Sequence, residues 1–125
     1  MCWFYEPIIE RVRQFATTWL PVVAWAALIF TLSSIPSLDS GLGTLDLVLR
    51  KIAHFAEFAV LGALLARVLD DVPAVLVGVA YAVTDEVHQA FVQGREGAAM
   101  DVAIDGAGVL AGVFVLRVLA VQSRR

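Results

Sequence analysis

Charged residues are absent from Gln14 to Leu38, and within that window WLPVVAWAALIFTL reads as one apolar run. About 20 such residues cross a hydrocarbon core of about 30 Å, so the pattern predicts a first membrane-spanning helix over about residues 15–35. Three more apolar segments follow, over about residues 51–69, 72–92 and 101–121, each long enough to cross and each carrying polar residues near one end. The short DDVP stretch makes the second and third segments an antiparallel hairpin, with Pro73 tolerated in the first turn of the third helix. The connection SSIPSLDSGLGTLD is polar and rich in Gly and Ser, and it reads as a loop. With no internal repeat, the simplest architecture is all-α, a single domain over residues 1–125 that forms a compact bundle of four transmembrane helices.

Arg11 and Arg13 precede the first apolar run, as they would in a cleaved signal peptide. That run is long, no small-residue cleavage pattern follows it cleanly, and the three later segments need a membrane in any case.

Composition agrees with the pattern. The chain is 60% hydrophobic and 17% charged, against about 45–50% and 25% in soluble domains, which excludes a soluble reading. A net charge of −3 and no basic helix leave nothing to attract nucleic acid. A single cysteine, Cys2, provides neither a disulfide framework nor a thiolate metal site.

Four spans place both termini and the second-to-third connection on one side, with Arg11, Arg13, Arg67, Arg117, Arg124 and Arg125; Arg50, Lys51 and Arg95 fall on the other. The excess of positive charge on the first side predicts that both termini are cytoplasmic. The unusual polar residues then gather on the opposite, extracytoplasmic face. Ser33 and Ser34 end the first helix, and Lys51, His54 and Glu57 begin the second. Asp85, Glu86, His88 and Gln89 end the third, Arg95 follows in the loop, and Asp101 and Asp105 begin the fourth.

At 100° per residue, Tyr81, Asp85, His88 and Gln89 share about 100° of arc, with Glu86 at the edge of that face. His54 and Glu57, three apart, lie side by side, with Lys51 a turn nearer water. Asp101 and Asp105 continue into Gly108 and Gly112, a small-residue seam that admits a close neighbour and turns the carboxylates inward. Ordinary tight packing explains the glycines by itself. The charges are another matter, because ionisable groups in a membrane are costly and are usually retained for pairing, transport or chemistry.

Glu57, Asp85, Glu86, Asp101 and Asp105 outnumber the fixed cations Lys51 and Arg95. Protonated His54 and His88, neutral carboxyls, or a bound metal or cationic ligand would each meet the deficit. No HExxH signature is present, and DEVH has no ligand spacing of its own, so the sequence names no metal or other cofactor. Nucleophilic catalysis would need Ser33, Ser34 or Thr84 beside a histidine base.

The blocks KIAHFAEFAVLGALL and YAVTDEVHQAFVQGREGAAMDVAIDGAG resemble the VanZ-like family of small bacterial membrane proteins. That family's pattern is matched by Lys51, His54, Phe55, Glu57 and Phe58; by Asp85, Glu86, His88, Gln89 and Phe91; by Gly94 and Arg95; and by Asp101, Asp105 and Gly108. SSIP, Ser33 to Pro36, resembles the end of the family's first helix. Phe58 stands where tyrosine is common, and Gln93 where proline often precedes the Gly-Arg pair. The resemblance implies a multi-pass protein of the bacterial cytoplasmic membrane with a role at the cell envelope, since the family's named member is associated with resistance to the glycopeptide teicoplanin.

Three functional readings follow. In the first, an outer-face site binds or alters an envelope lipid, a lipid-linked cell-wall precursor or a glycopeptide. Asp85, Glu86, His88, His54 and Glu57 then form the catalytic set, with Glu86 or Asp85 as base and the histidines as proton carriers or ligands. Lys51, Gln89, Arg95, Asp101 and Asp105 hold the substrate, Lys51 and Arg95 clamping a phosphate or carboxylate. In the second, the same groups relay protons or a cation in a small transporter, although such sites usually lie at the midplane. In the third, ion pairs lock the helix ends, a weak reason at about 0.6 kcal/mol per interhelical polar contact.

Overall fold

The computed structural model describes residues 5–36 and 41–125, which form four helices and no strand: α1 Tyr5–Ser33, α2 Thr44–Ala66, α3 Asp71–Ala90 and α4 Ala99–Gln122. Cys2 and positions 37–40 of the polar connection lie outside the described residues.

Two helices start earlier than the hydropathy pattern predicts. α1 begins at Tyr5 rather than near residue 15. Its charges at Glu10, Arg11 and Arg13 alternate with Ile8, Ile9 and Val12 and break nothing, and Pro7 sits in the first turn, where a missing N–H is harmless. α2 begins at Thr44 rather than Lys51, just after Gly43, whose φ of 56° ends the preceding loop. Within those extra two turns Asp46 and Arg50 pair at 2.7 Å, four residues apart. The polar residues there form one face of a helix and not a loop.

Side-chain register shows how the helices run. Lys51 meets Asp101, His54 meets Asp105, and Phe55 and Ala59 face Gly108 and Gly112, so α2 and α4 are parallel neighbours. α3 runs antiparallel to both: Asp71 meets Arg117 at one end, and Glu86 meets Ala98 at the other. α1 is antiparallel to α2, with the Trp25 indole N–H donating to the Glu57 carbonyl at 2.9 Å and the Tyr81 hydroxyl donating to the Ala26 carbonyl.

The closest packing is between α2 and α4. A Cβ added to Gly108 would lie 2.5 Å from the Phe55 carbonyl oxygen, and one added to Gly112 would overlap the Ala59 carbonyl. Small residues thus bring two backbones into contact, the geometry that membrane helices use where no hydrophobic force acts between them. Phe58, Leu61 and Leu65 of α2 close the core against Ala82 of α3, Val109 of α4 and Ile29 of α1. Outside that core the surface stays apolar: Leu20, Val23, Leu76, Val87, Leu110 and Phe114 are all exposed. Pro7–Ser33 and Ala99–Gln122 are long and apolar enough to cross a membrane.

Candidate functional site

This register brings the ends of α1 and α3 level with the starts of α2 and α4. A cleft of about 590 Å³ opens there, walled by the first turns of α2 and α4 and by the loop after α3. Lys51 and Asp101 pair across it at 2.5 Å, both still partly exposed. Arg50, His54, Gln89, Arg95 and Asp105 also line it. A smaller pocket of about 100 Å³ lies behind His54, between α1 and α2, and there Glu57 joins Ser33 and Arg95.

One turn below the Lys51–Asp101 pair, His54 Nδ1 lies 3.4 Å from Asp105 Oδ1, close enough for an ion pair but too poorly aligned for a hydrogen bond. Asp105 is completely buried, and neither of its carboxylate oxygens has a hydrogen-bond donor among the described residues. Asp85 stands beside it, 2% exposed. Its Oδ2 accepts from Gln89 Nε2 at 2.9 Å, while its Oδ1 has no donor among the described residues. One donor atom each from His54, Asp85 and Asp105 falls within 4.8 Å of the others. Three helices therefore deliver an imidazole and two carboxylates to one buried point.

The polar end of α3 does not act as one stripe. Asp85 and Gln89 face inward, where Gln89 also donates to Ser33 Oγ at 3.3 Å and accepts from Arg95 Nη1 at 3.5 Å. Glu86 turns toward α4, accepting the Ala98 backbone N–H at 2.6 Å and so fastening the last turns of α3 to the start of that helix. His88 turns the other way, stacking on Phe30 with ring centroids 4.2 Å apart and placing Nε2 2.9 Å from Ser34 Oγ. Glu86 and His88 lie about 160° apart on the helix, so with α4 on one side and α1 on the other they part company.

A serine beside a histidine invites a nucleophilic reading, but the hydroxyl is committed elsewhere. Ser34 Oγ lies 2.7 Å from the Phe30 carbonyl, which can only accept, so its single proton points there and His88 serves as donor. The pair ties α1 to α3. Ser33 receives from Gln89, and Thr84 bonds back to the Ala80 carbonyl at 3.0 Å.

Arg95 spans the loop and α1: Nε donates to the Ile35 carbonyl at 3.0 Å and Nη2 to that of Leu32 at 3.4 Å. The guanidinium satisfies carbonyls that the end of α1 leaves open while it also borders the cleft.

Against known proteins, the sequence model of the VanZ/LLP1 family matches residues 8–120, nearly the whole chain and every polar position described above. The chain belongs to the VanZ/LLP1 family. Family membership, with two helices apolar enough to cross a bilayer, makes this a membrane-associated protein. No curated protein and no solved structure matches the chain.

In this VanZ/LLP1 chain the ten sequence-derived site residues divide three ways. His54, Asp85 and Asp105 converge on a point, with Gln89 holding Asp85. Lys51, Asp101 and Arg95 border the cleft above it, and Glu57 lies in the smaller pocket behind. Glu86 and His88 face the flanking helices. Asp46, Arg50 and Glu96 also line the cleft and escaped the sequence reading. The four-residue spacing of Asp46, the last residue of the polar connection, and Arg50 beyond it is the sequence signal that marks one helix face.

Proposed function

We propose that this chain is a four-span protein of the bacterial cytoplasmic membrane, with both termini cytoplasmic, whose cleft takes the anionic head group of an envelope lipid or lipid-linked cell-wall precursor. The supporting observation is the cleft itself: Arg50, Lys51, His54 and Arg95 border one opening of about 590 Å³ together with Asp46, Glu96, Asp101 and Asp105, Arg50 resting on Asp46 and Lys51 on Asp101. Beside it, Leu45, Leu47, Val48 and Ile52 of the same helix are exposed. An entering phosphate would take the place of Asp46 or Asp101 beside these cations, and the apolar residues at the side of the opening suit an amphiphile whose chains stay in lipid.

α2 and α3, with 23 and 20 residues, reach about 30 Å or more at about 1.5 Å per residue, enough to cross beside α1 and α4. Their charges are concentrated toward the cleft end, which the positive-inside bias puts outside. In this reading, holding an envelope lipid there is how the chain would lower teicoplanin susceptibility.

The test is lipid retention by the purified protein, read by native mass spectrometry with equal phosphatidylglycerol and phosphatidylcholine in the detergent. Phosphatidylglycerol should be retained at least tenfold better, with the preference lost in Lys51→Gln. Equal retention of the two lipids, or an unchanged preference in Lys51→Gln, refutes the reading. Cells with matched membrane levels of wild type and Lys51→Gln would then show whether teicoplanin protection follows head-group binding.

A further inference from the structure

Beneath the cleft, the point shared by His54, Asp85 and Asp105 has the chemistry of a cation site, and it stands whether or not the cleft above takes a lipid. Asp105 is completely buried and has two oxygens that no donor among the described residues reaches. Asp85, nearly as buried, brings one carboxylate oxygen to within 4.8 Å of the donor atoms of His54 and Asp105, and its Oδ1 has no donor among the described residues. Two carboxylates so placed repel each other, and taking such charge out of water is costly unless an opposite charge accompanies it.

We infer that His54, Asp85 and Asp105 bind one divalent first-row transition metal ion, for which Zn²⁺ is the natural probe. A neutral imidazole with two carboxylates is a ligand set that suits Zn²⁺ and its neighbours better than Mg²⁺ or Ca²⁺, which favour oxygen alone. A dication also cancels the charge of the two carboxylates. Donor atoms about 2.0–2.2 Å from a shared tetrahedral ion lie roughly 3.3–3.6 Å apart. His54 Nδ1 and Asp105 Oδ1 already stand at such a spacing, 3.4 Å, and the three donors, all within 4.8 Å of one another, close on an ion with side-chain shifts of about 1 Å.

The surroundings fit the same role. Gln89 holds Oδ2 of Asp85 at 2.9 Å, leaving Oδ1 free to coordinate. Gln89 is in turn held by Ser33 and Arg95. Such outer hydrogen bonds orient metal ligands, and losing one typically costs 10–100-fold in affinity. His54 and Asp105 both border the cleft, so a fourth coordination position opens toward whatever enters it.

The experiment uses full-length, tag-free protein in detergent, stripped with a chelator and titrated with Zn²⁺ against a chromophoric competitor, with no lipid added. A Cys2→Ser background removes the one thiol. One Zn²⁺ per chain is expected, weakened at least 100-fold in Asp105→Asn and in His54→Gln, about 10–100-fold in Gln89→Ala, and unchanged in Asp71→Asn at the far end of the bundle. Failure of the stripped wild type to take up Zn²⁺, or wild-type affinity in Asp105→Asn, overturns the inference. Should Asp105→Asn fail to fold, Co²⁺ substitution of wild type decides: a visible d–d band absent from His54→Gln supports the site, and a band unchanged in that variant overturns it.

Discussion

Replacing Gly112 by alanine tests the parallel contact on which the site depends. The new Cβ would overlap the Ala59 carbonyl oxygen and lie 2.7 Å from its carbon and 2.9 Å from the Ala63 nitrogen. All three obstacles are backbone atoms, so no side chain can turn aside. Restoring a spacing of about 3.5 Å requires α2 and α4 to part by roughly 1.5 Å, which forfeits dispersion contacts along the whole seam. Overpacking of this kind costs about 1–3 kcal/mol, and a backbone obstacle puts Gly112→Ala at the upper end. Gly106→Ala is the internal control, since its Cβ would meet Val79 Cγ2 at 3.7 Å, an ordinary contact. Relief from the glycine penalty in a helix should leave that variant neutral or more stable by about 0.5–1 kcal/mol. The two variants should therefore differ by about 2–4 kcal/mol in denaturant titrations of the micelle-bound protein followed by far-ultraviolet circular dichroism. A difference below about 0.5 kcal/mol, within what ordinary surface substitutions produce, would refute the close parallel pairing of α2 and α4.

Glu86→Ala removes the acceptor for the Ala98 amide, and its exchange with solvent should quicken about tenfold, the equivalent of about 1.4 kcal/mol, whereas Glu86→Gln keeps the acceptor and the slow exchange. Tyr81→Phe loses the hydroxyl bond to Ala26 and should cost about 0.6 kcal/mol in the same titration, the average for an interhelical polar contact in a membrane. Fluorescent-protein and alkaline-phosphatase fusions after Arg125 should respectively fluoresce and remain inactive in a bacterial host, and the reverse would overturn the orientation drawn from the arginines.

Much of this arrangement is legible in the chain because hydropathy and helical period are local properties. The apolar runs mark where the helices lie, and Asp101, Asp105, Gly108 and Gly112 share one face by spacing alone. The early starts of α1 and α2 were hidden because a charged residue looks the same in a loop as on the solvated side of a helix. Asp46 with Arg50 shows that ambiguity resolved by an ion pair. The division of Glu86 from His88 was hidden for another reason. Helical angle gives the arc between two side chains but not which neighbour stands on each side, and here α4 claims one residue and α1 the other. Asp85 was a candidate by sequence. That it would share its point with Asp105 depends on the distance between α3 and α4, which no single segment encodes.

The glycine seam works as a vernier. Gly108 and Gly112 admit α2 at one height only, and that height aligns Lys51 with Asp101 and His54 with Asp105 together. A slip of α2 by one helical turn, about 5.4 Å, would break both pairs in a single step and carry His54 away from Asp85 and Asp105. The polar end cannot therefore be adjusted residue by residue while the apolar middle is left to drift. Two positions without side chains, well below the cleft, set the chemistry of the groups above them.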